Sequence, residues 1–143
     1  MADSARRLRT AFAGRLQGTG LTLAQARVLL HVAREPGMRQ VELAALLEVA
    51  PITLARLMDR LESQGLVQRC PDESDGRAYR IFATRAAAAP LAAIETISDA
   101  LVREALAGIT AGDEQIMAAC LQRMRANLAR LPTVEQTTDH AER

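Results

Sequence analysis

The stretch Gln40–Asp59, QVELAALLEVAPITLARLMD, decides the reading of this chain. It holds two short apolar-periodic runs with a tight turn between them. Leu43, Leu47, Val49, Leu54 and Leu57 fall at positions that two crossing helices bury, and the small Ala44 falls where their backbones approach closely. Pro51 stands where a first helical residue is preorganised and its missing N–H costs nothing. Glu48 occupies the turn position that favours glycine: either a left-handed Glu costs roughly 1 kcal/mol there, or the turn differs.

The spacing predicts a first member over Arg39–Leu47, with Val41, Leu43, Ala44, Leu46 and Leu47 facing inward. The second runs from Pro51 to about Gln64, buries Leu54, Leu57, Met58 and Leu61, and is capped by Gly65 in a left-handed conformation. Two extended runs follow, GLVQRC and AYRIFAT, around the polar turn PDESDG, and they read as a β-hairpin.

Upstream, Leu8, Phe12 and Leu16 recur at helical spacing between Ser4 and Gln17, opposite Arg6, Arg7, Arg9 and Arg15. Thr22 with Gln25 has the form of a capping box for a helix reaching about Arg34. Downstream, Leu91, Ile94, Ile97, Leu101 and Leu106 make a stripe up to about Ile109, with Pro90 either starting that helix or kinking it. Thr110 and Asp113 resemble a second capping box. After them Met117, Leu121, Met124, Leu128 and Leu131 form a seam that calls for another helix. A polar tail closes the chain from Pro132 to Arg143.

The fold class is therefore mainly α with a small β-hairpin: a winged helix-turn-helix. If so, the helix from Pro51 enters a major groove, and Pro51, Ile52, Thr53 and Arg56 reach base edges. Thr53 suits a thymine methyl or a hydrogen-bonding edge, and Arg56 can fork onto guanine O6 and N7. Arg60, one turn later, suits a phosphate, as do Arg39 and Gln40 at the start of the preceding helix. The competing reading is an ordinary surface helix whose arginines pair with Asp59 or Glu62.

Composition bounds these readings. At 143 residues and 49% hydrophobic, the chain is one ordinary folded domain. Its formal net charge of +1 announces no nucleic acid, so a DNA surface needs charge segregation. All 18 basic residues are Arg. The aromatics are Phe12, Tyr79 and Phe82, too few to stack unpaired bases, which speaks against RNA. Cys70 and Cys120 lie far apart without a Cys/His cluster, arguing against a structural metal or a disulfide framework. No apolar run approaches a membrane span and the N-terminus is too polar for a signal peptide, so a cytoplasmic, nucleoid-associated bacterial protein without membrane contact is expected. No metal-ligand spacing, Gly-rich phosphate loop or nucleophile elbow supports an enzyme, and no cofactor is expected.

The segments GLTLAQARVLLHV, QVELAALLEV, TLARLMDRLESQGLVQR, DGRAYRI and GITAGDEQI, in that order, resemble the MarR-type transcriptional regulators, and among them the SlyA-like branch. The resemblance implies a homodimer on double-stranded DNA. Residues 21–85 would form the DNA-binding lobe, 1–20 and 86–131 the dimer body of a single domain, and 132–143 a tail. It implies that Arg77 at the wing tip enters a minor groove while Asp75 holds it. It also implies a small anionic or aromatic effector, with Arg27 and His31 as candidates to flank its cleft. Cys70, beside the wing, is the candidate oxidation site.

Three departures from the family pattern stand out. Gly76 lies where relatives are often basic. Ala83 replaces the Leu, and Ala87 or its neighbours the Gly, that follow the wing, and the first helix is short. Because a fold does not fix a function, a winged-helix protein-interaction module and a nonspecific DNA-coating protein stand as alternatives.

Overall fold

A computed structural model describes residues 2–131. The described residues divide into two compact units, one up to residue 105 and one from residue 106. In the first, the elements run α1 (Ala2–Arg15), a single 3₁₀ turn, α2 (Leu23–Arg34), β1 (Met38–Arg39), α3 (Gln40–Leu47), α4 (Pro51–Ser63), β2 (Val67–Pro71), β3 (Tyr79–Ala83), a second 3₁₀ turn and α5 (Ala88–Ala105).

Local chemistry sets most of these boundaries. The Thr22 hydroxyl accepts from Gln25 N at 3.2 Å and the Gln25 side chain accepts from Thr22 N at 2.9 Å, a full capping box at the start of α2. Pro51 is the first helical residue of α4, after an Ala50 whose side chain contributes no cap. That helix ends with Gly65 N bonded to Glu62 O and Leu66 N bonded to Leu61 O, and Gly65 has φ 71°. This paired closure needs a left-handed residue, which Gly supplies without steric cost.

The same two bonds end α3: Glu48 N reaches Ala45 O and Val49 N reaches Ala44 O, both at 3.1 Å. Here the left-handed residue is Glu48, at φ 54°. The turn therefore keeps the glycine-type geometry with a side chain in place.

The core of the first unit joins Val28, Leu29 and Val32 of α2, Leu43 of α3, Leu54, Met58 and Leu61 of α4, Val67 and Ile81 of the sheet, and Ile94 of α5, all essentially inaccessible. Ala44 is buried at the α3 crossing, as its size anticipates. Two residues placed inward by the sequence are not: Val41 is 67% and Leu46 49% exposed. A helix of only two turns has room for one buried stripe, and Leu43, Ala44 and Leu47 fill it. Leu57 and Val49 are half-buried at its margin.

The hairpin is part of a three-stranded antiparallel sheet of order β1-β3-β2. Strand β1 pairs Met38 with Ile81 and Arg39 with Arg80, so α3 starts at Gln40 and Arg39 is its extended N-cap. Gly37 leads into that strand at φ 83°, where a Cβ would lie 3.2 Å from the Phe82 ring. Pro90 sits in the first turn of α5, where it interrupts no helical bond. Ala87, buried in the turn before it, keeps the segment after the wing close to the core. α5 ends at Ala105, short of the expected Ile109, and the chain turns through Gly108 at φ 84°.

In the second unit α6 spans Ala111–Leu128. Thr110 caps it by accepting from Asp113 N at 3.2 Å, but its hydroxyl donates to the Asp113 carboxylate at 2.7 Å, so the reciprocal bond of a capping box is missing. α6 buries none of its side chains, and Met117, Leu121 and Leu128 are exposed along it. The tail from Pro132 lies outside the described residues.

Relieving the left-handed side chain is a clean test of the turn. Glu48→Gly is expected to stabilise the protein by about 1 kcal/mol, raising Tm by roughly 3 °C, whereas Glu48→Ala changes little because the Cβ remains. Differential scanning calorimetry of both variants checks this.

Candidate nucleic-acid interface

The exposed end of α4 presents Pro51, Ile52, Thr53 and Arg56 to solvent, with Arg60 one turn further on. Ile52 is 64% exposed, a large apolar group left uncovered at the start of the helix. Thr53, Arg56 and Arg60 line a shallow groove of about 160 Å³ together with Thr22 and Gln25 from the start of α2. A second groove of about 130 Å³ brings Arg39, Gln40 and Val41 together with Pro51 of α4 and Arg77 and Tyr79 of the wing. Side chains from three separate segments thus meet around the start of the helix.

Charge is segregated by a residue that the sequence reading missed. Arg69 on β2 donates to Asp59 Oδ1 at 2.7 Å, to Glu62 Oε2 at 3.3 Å and to the Ala55 carbonyl at 3.1 Å. The carboxylates that could have neutralised the outer face of α4 are thereby drawn to its sheet side. Among the described residues neither Arg56, Arg60 nor Arg77 has an ion-pair partner within 4.0 Å. Exposed, unpaired guanidiniums on either side of the start of α4, Arg56 and Arg60 in one groove and Arg77 in the other, are what a near-neutral chain needs to meet a polyanion.

The wing has a buried anchor, Asp72, that was also missed. Its side chain is 2% exposed and pairs with Arg39 Nε at 2.8 Å and Arg80 Nε at 3.0 Å. The Ser74 hydroxyl and amide donate to its other oxygen, and these bonds above all, with Arg39 adding to them, hold the carboxyl well below the usual carboxylate range against the effect of burial. The Asp-x-Ser spacing is the readable signal, since Asp accepts readily from the amide two residues on. Arg39, placed at a phosphate by the sequence, has its guanidinium on Asp72 and Ser74. Gln40 remains at the start of α3 and lines the second groove.

Asp75 accepts from Arg77 N at 3.0 Å. It holds the backbone of Arg77 and leaves the guanidinium without a hydrogen bond to it. Gly76, between them, has open space where a Cβ would stand, and its φ is not left-handed. Cys70 is half-buried on β2 opposite Arg80, and Cys120 is exposed on α6. The pair on α2 separates: Arg27 lines, with Arg9 and Glu48, a cleft of about 600 Å³ whose walls are otherwise mostly apolar, among them Phe12, Leu23 and Leu101, whereas His31 does not line it. Burial first, then the charges of Arg34 and Arg27, push the His31 imidazole below its ordinary value.

Comparison with known proteins fits this geometry. Residues 19–78 match the MarR family. The chain is 30% identical over 110 residues, 77% of its length, to an HTH-type transcriptional regulator of Bacillus subtilis, YybA, covering 73% of that protein. The chain belongs to the MarR family. Among solved structures it is similar to MarR, with a TM-score of 0.81 and 28% identity over 88% of this chain and 86% of that one. It is likewise similar to the regulator SlyA, with a TM-score of 0.77 and 31% identity over 87% and 88% of the two chains. A member of this family is a DNA-binding transcriptional regulator, and its relatives are regulators and not enzymes. No helix among the described residues is long and apolar enough to cross a membrane.

Two outcomes follow. Since Gly76 has room for a side chain beside an unpaired Arg77, Gly76→Arg is expected to tighten DNA binding and steepen its salt dependence by about one counterion, measured by anisotropy titration. Below about pH 6.5 the unfolded chain takes up the His31 proton before the folded one, so acidification costs stability. His31→Gln is expected to flatten that part of a Tm–pH profile.

Proposed function

We propose that this regulator is a homodimer that recognises an inverted repeat in double-stranded DNA. The observation that carries the reading is the unpaired state of Arg56, Arg60 and Arg77 while Arg69 holds Asp59 and Glu62. In this reading α4 lies in the major groove, with Pro51, Ile52, Thr53 and Arg56 at base edges and Arg60 and Gln40 at phosphates, and Arg77 enters the flanking minor groove. Residues 21–85 are the DNA-binding lobe. The segments 1–20 and 86–131 form the dimer body, where the uncovered apolar row of α6 supports a helix-to-helix interface with a second copy.

A small anionic or aromatic effector releases the DNA. Its place is the mostly apolar cleft that Arg27 lines. Such a ligand acts only by preferring the dimer geometry in which the two α4 helices no longer match successive major grooves, about 34 Å apart.

The test is an anisotropy titration of the protein against the DNA upstream of its own gene and a scrambled duplex, at several salt concentrations. A preference that survives high salt, with two protomers per site, is expected. Equal binding of both duplexes would instead indicate nonspecific coating, and no binding a protein-interaction role. Arg56→Ala is expected to cost about 1 to 3 kcal/mol at the operator and to relax base preference, whereas Arg77→Ala weakens all duplexes more evenly.

A further inference from the structure

Asp72 joins three separated pieces of chain on one carboxylate. Oδ2 takes Arg39 from the start of α3 and Arg80 from β3, while Oδ1 takes the hydroxyl and amide of Ser74 at 2.7 and 2.9 Å. The guanidiniums are tied down in turn, Arg39 to the Ser74 hydroxyl at 3.2 Å and Arg80 to the Gly37 carbonyl at 2.8 Å. Asp72 N also donates to Ala78 O at 3.0 Å, closing the loop that carries Arg77. The side chain of Arg77 has no such tie, so its location is set by where that loop hangs.

We propose that Asp72 is the positioning residue of the wing, fixing the 73–77 loop against the start of α3 so that Arg77 shares one groove with Gln40 and Pro51. The assignment rests on the DNA-binding reading above. It also gives Arg39 a different role, as part of the anchor and not as a phosphate ligand. The mechanism is geometric: β2 and β3 alone leave the loop hinged on a two-stranded ribbon, the Asp72–Arg39 pair ties its base to β1 and the start of α3, and the Asp72–Arg80 pair braces it across the hairpin, with Arg80 in turn held by the Gly37 carbonyl.

Charge makes the idea testable, because electrostatics and positioning predict opposite signs. Asp72→Asn removes a negative charge from a face that meets phosphates. If charge alone mattered, DNA would bind more tightly and with a steeper salt dependence. Positioning requires the reverse: affinity falling about tenfold, and a salt slope reduced by about one counterion as Arg77 loses its contact.

The experiment is an anisotropy titration of wild type, D72N, R77A and the double variant on one duplex across a salt series, with circular dichroism establishing that each is folded. The double variant is expected to bind within about twofold of R77A, since the two changes remove the same contact. Equal or tighter binding by D72N, or losses that multiply in the double variant, would overturn the assignment. If D72N does not fold, S74A takes its place, withdrawing one hydroxyl while keeping both ion pairs. A smaller loss, about threefold, is then expected, again absent in the R77A background, and an unchanged affinity overturns the proposal. Wild type binding no duplex would remove the regulator reading itself, whereas wild type binding with D72N unimpaired removes only this inference.

Discussion

Two backbone bonds at the end of α3, from Glu48 N and Val49 N back to Ala45 O and Ala44 O, decide where everything downstream points. They reverse the chain within a few residues, so that Pro51 can begin α4 while Leu54, Met58 and Leu61 still reach the core that Val28, Leu29 and Leu43 occupy. The left-handed conformation of Glu48 is the cost of that reversal. Because the buried side of α4 is fixed so firmly, its opposite side is fixed as well, and Ile52, Thr53, Arg56 and Arg60 have nowhere to go but outward.

A chain of net charge +1 meets DNA only by sorting its charges, and the sheet does the sorting. Arg69 takes Asp59 and Glu62, and Asp72 takes Arg39 and Arg80. The first arrangement frees the cations of α4. The second uses cations to hold the wing. Both rely on strands whose pairing register sets which side chains meet, so the small sheet governs the electrostatics of a mostly helical protein as well as its shape. The same division of labour explains why the near-neutral composition was uninformative: a net charge sums over paired and unpaired groups alike and does not say which cations are left without a partner.

The sequence by itself determined the elements whose causes lie within one helical turn. Thr22 with Gln25, Pro51 and Gly65 act on neighbours three or four residues away, and so does the apolar spacing of α4, so their effects are visible in the order of residues. Even Glu48 was legible as a place where a penalty is paid or the turn changes. Only tertiary structure decided the rest. Val41 and Leu46 are as apolar as Leu43, and a two-turn helix buries whichever stripe its neighbours cover. Strand β1 has two residues and no periodicity, and exists because β3 offers it an edge. The partners of Asp72 and Arg69 were hidden for the same reason: Arg39 lies 33 residues before Asp72, and Arg69 lies 10 after Asp59, so which acid meets which base was settled by strand register and helix packing.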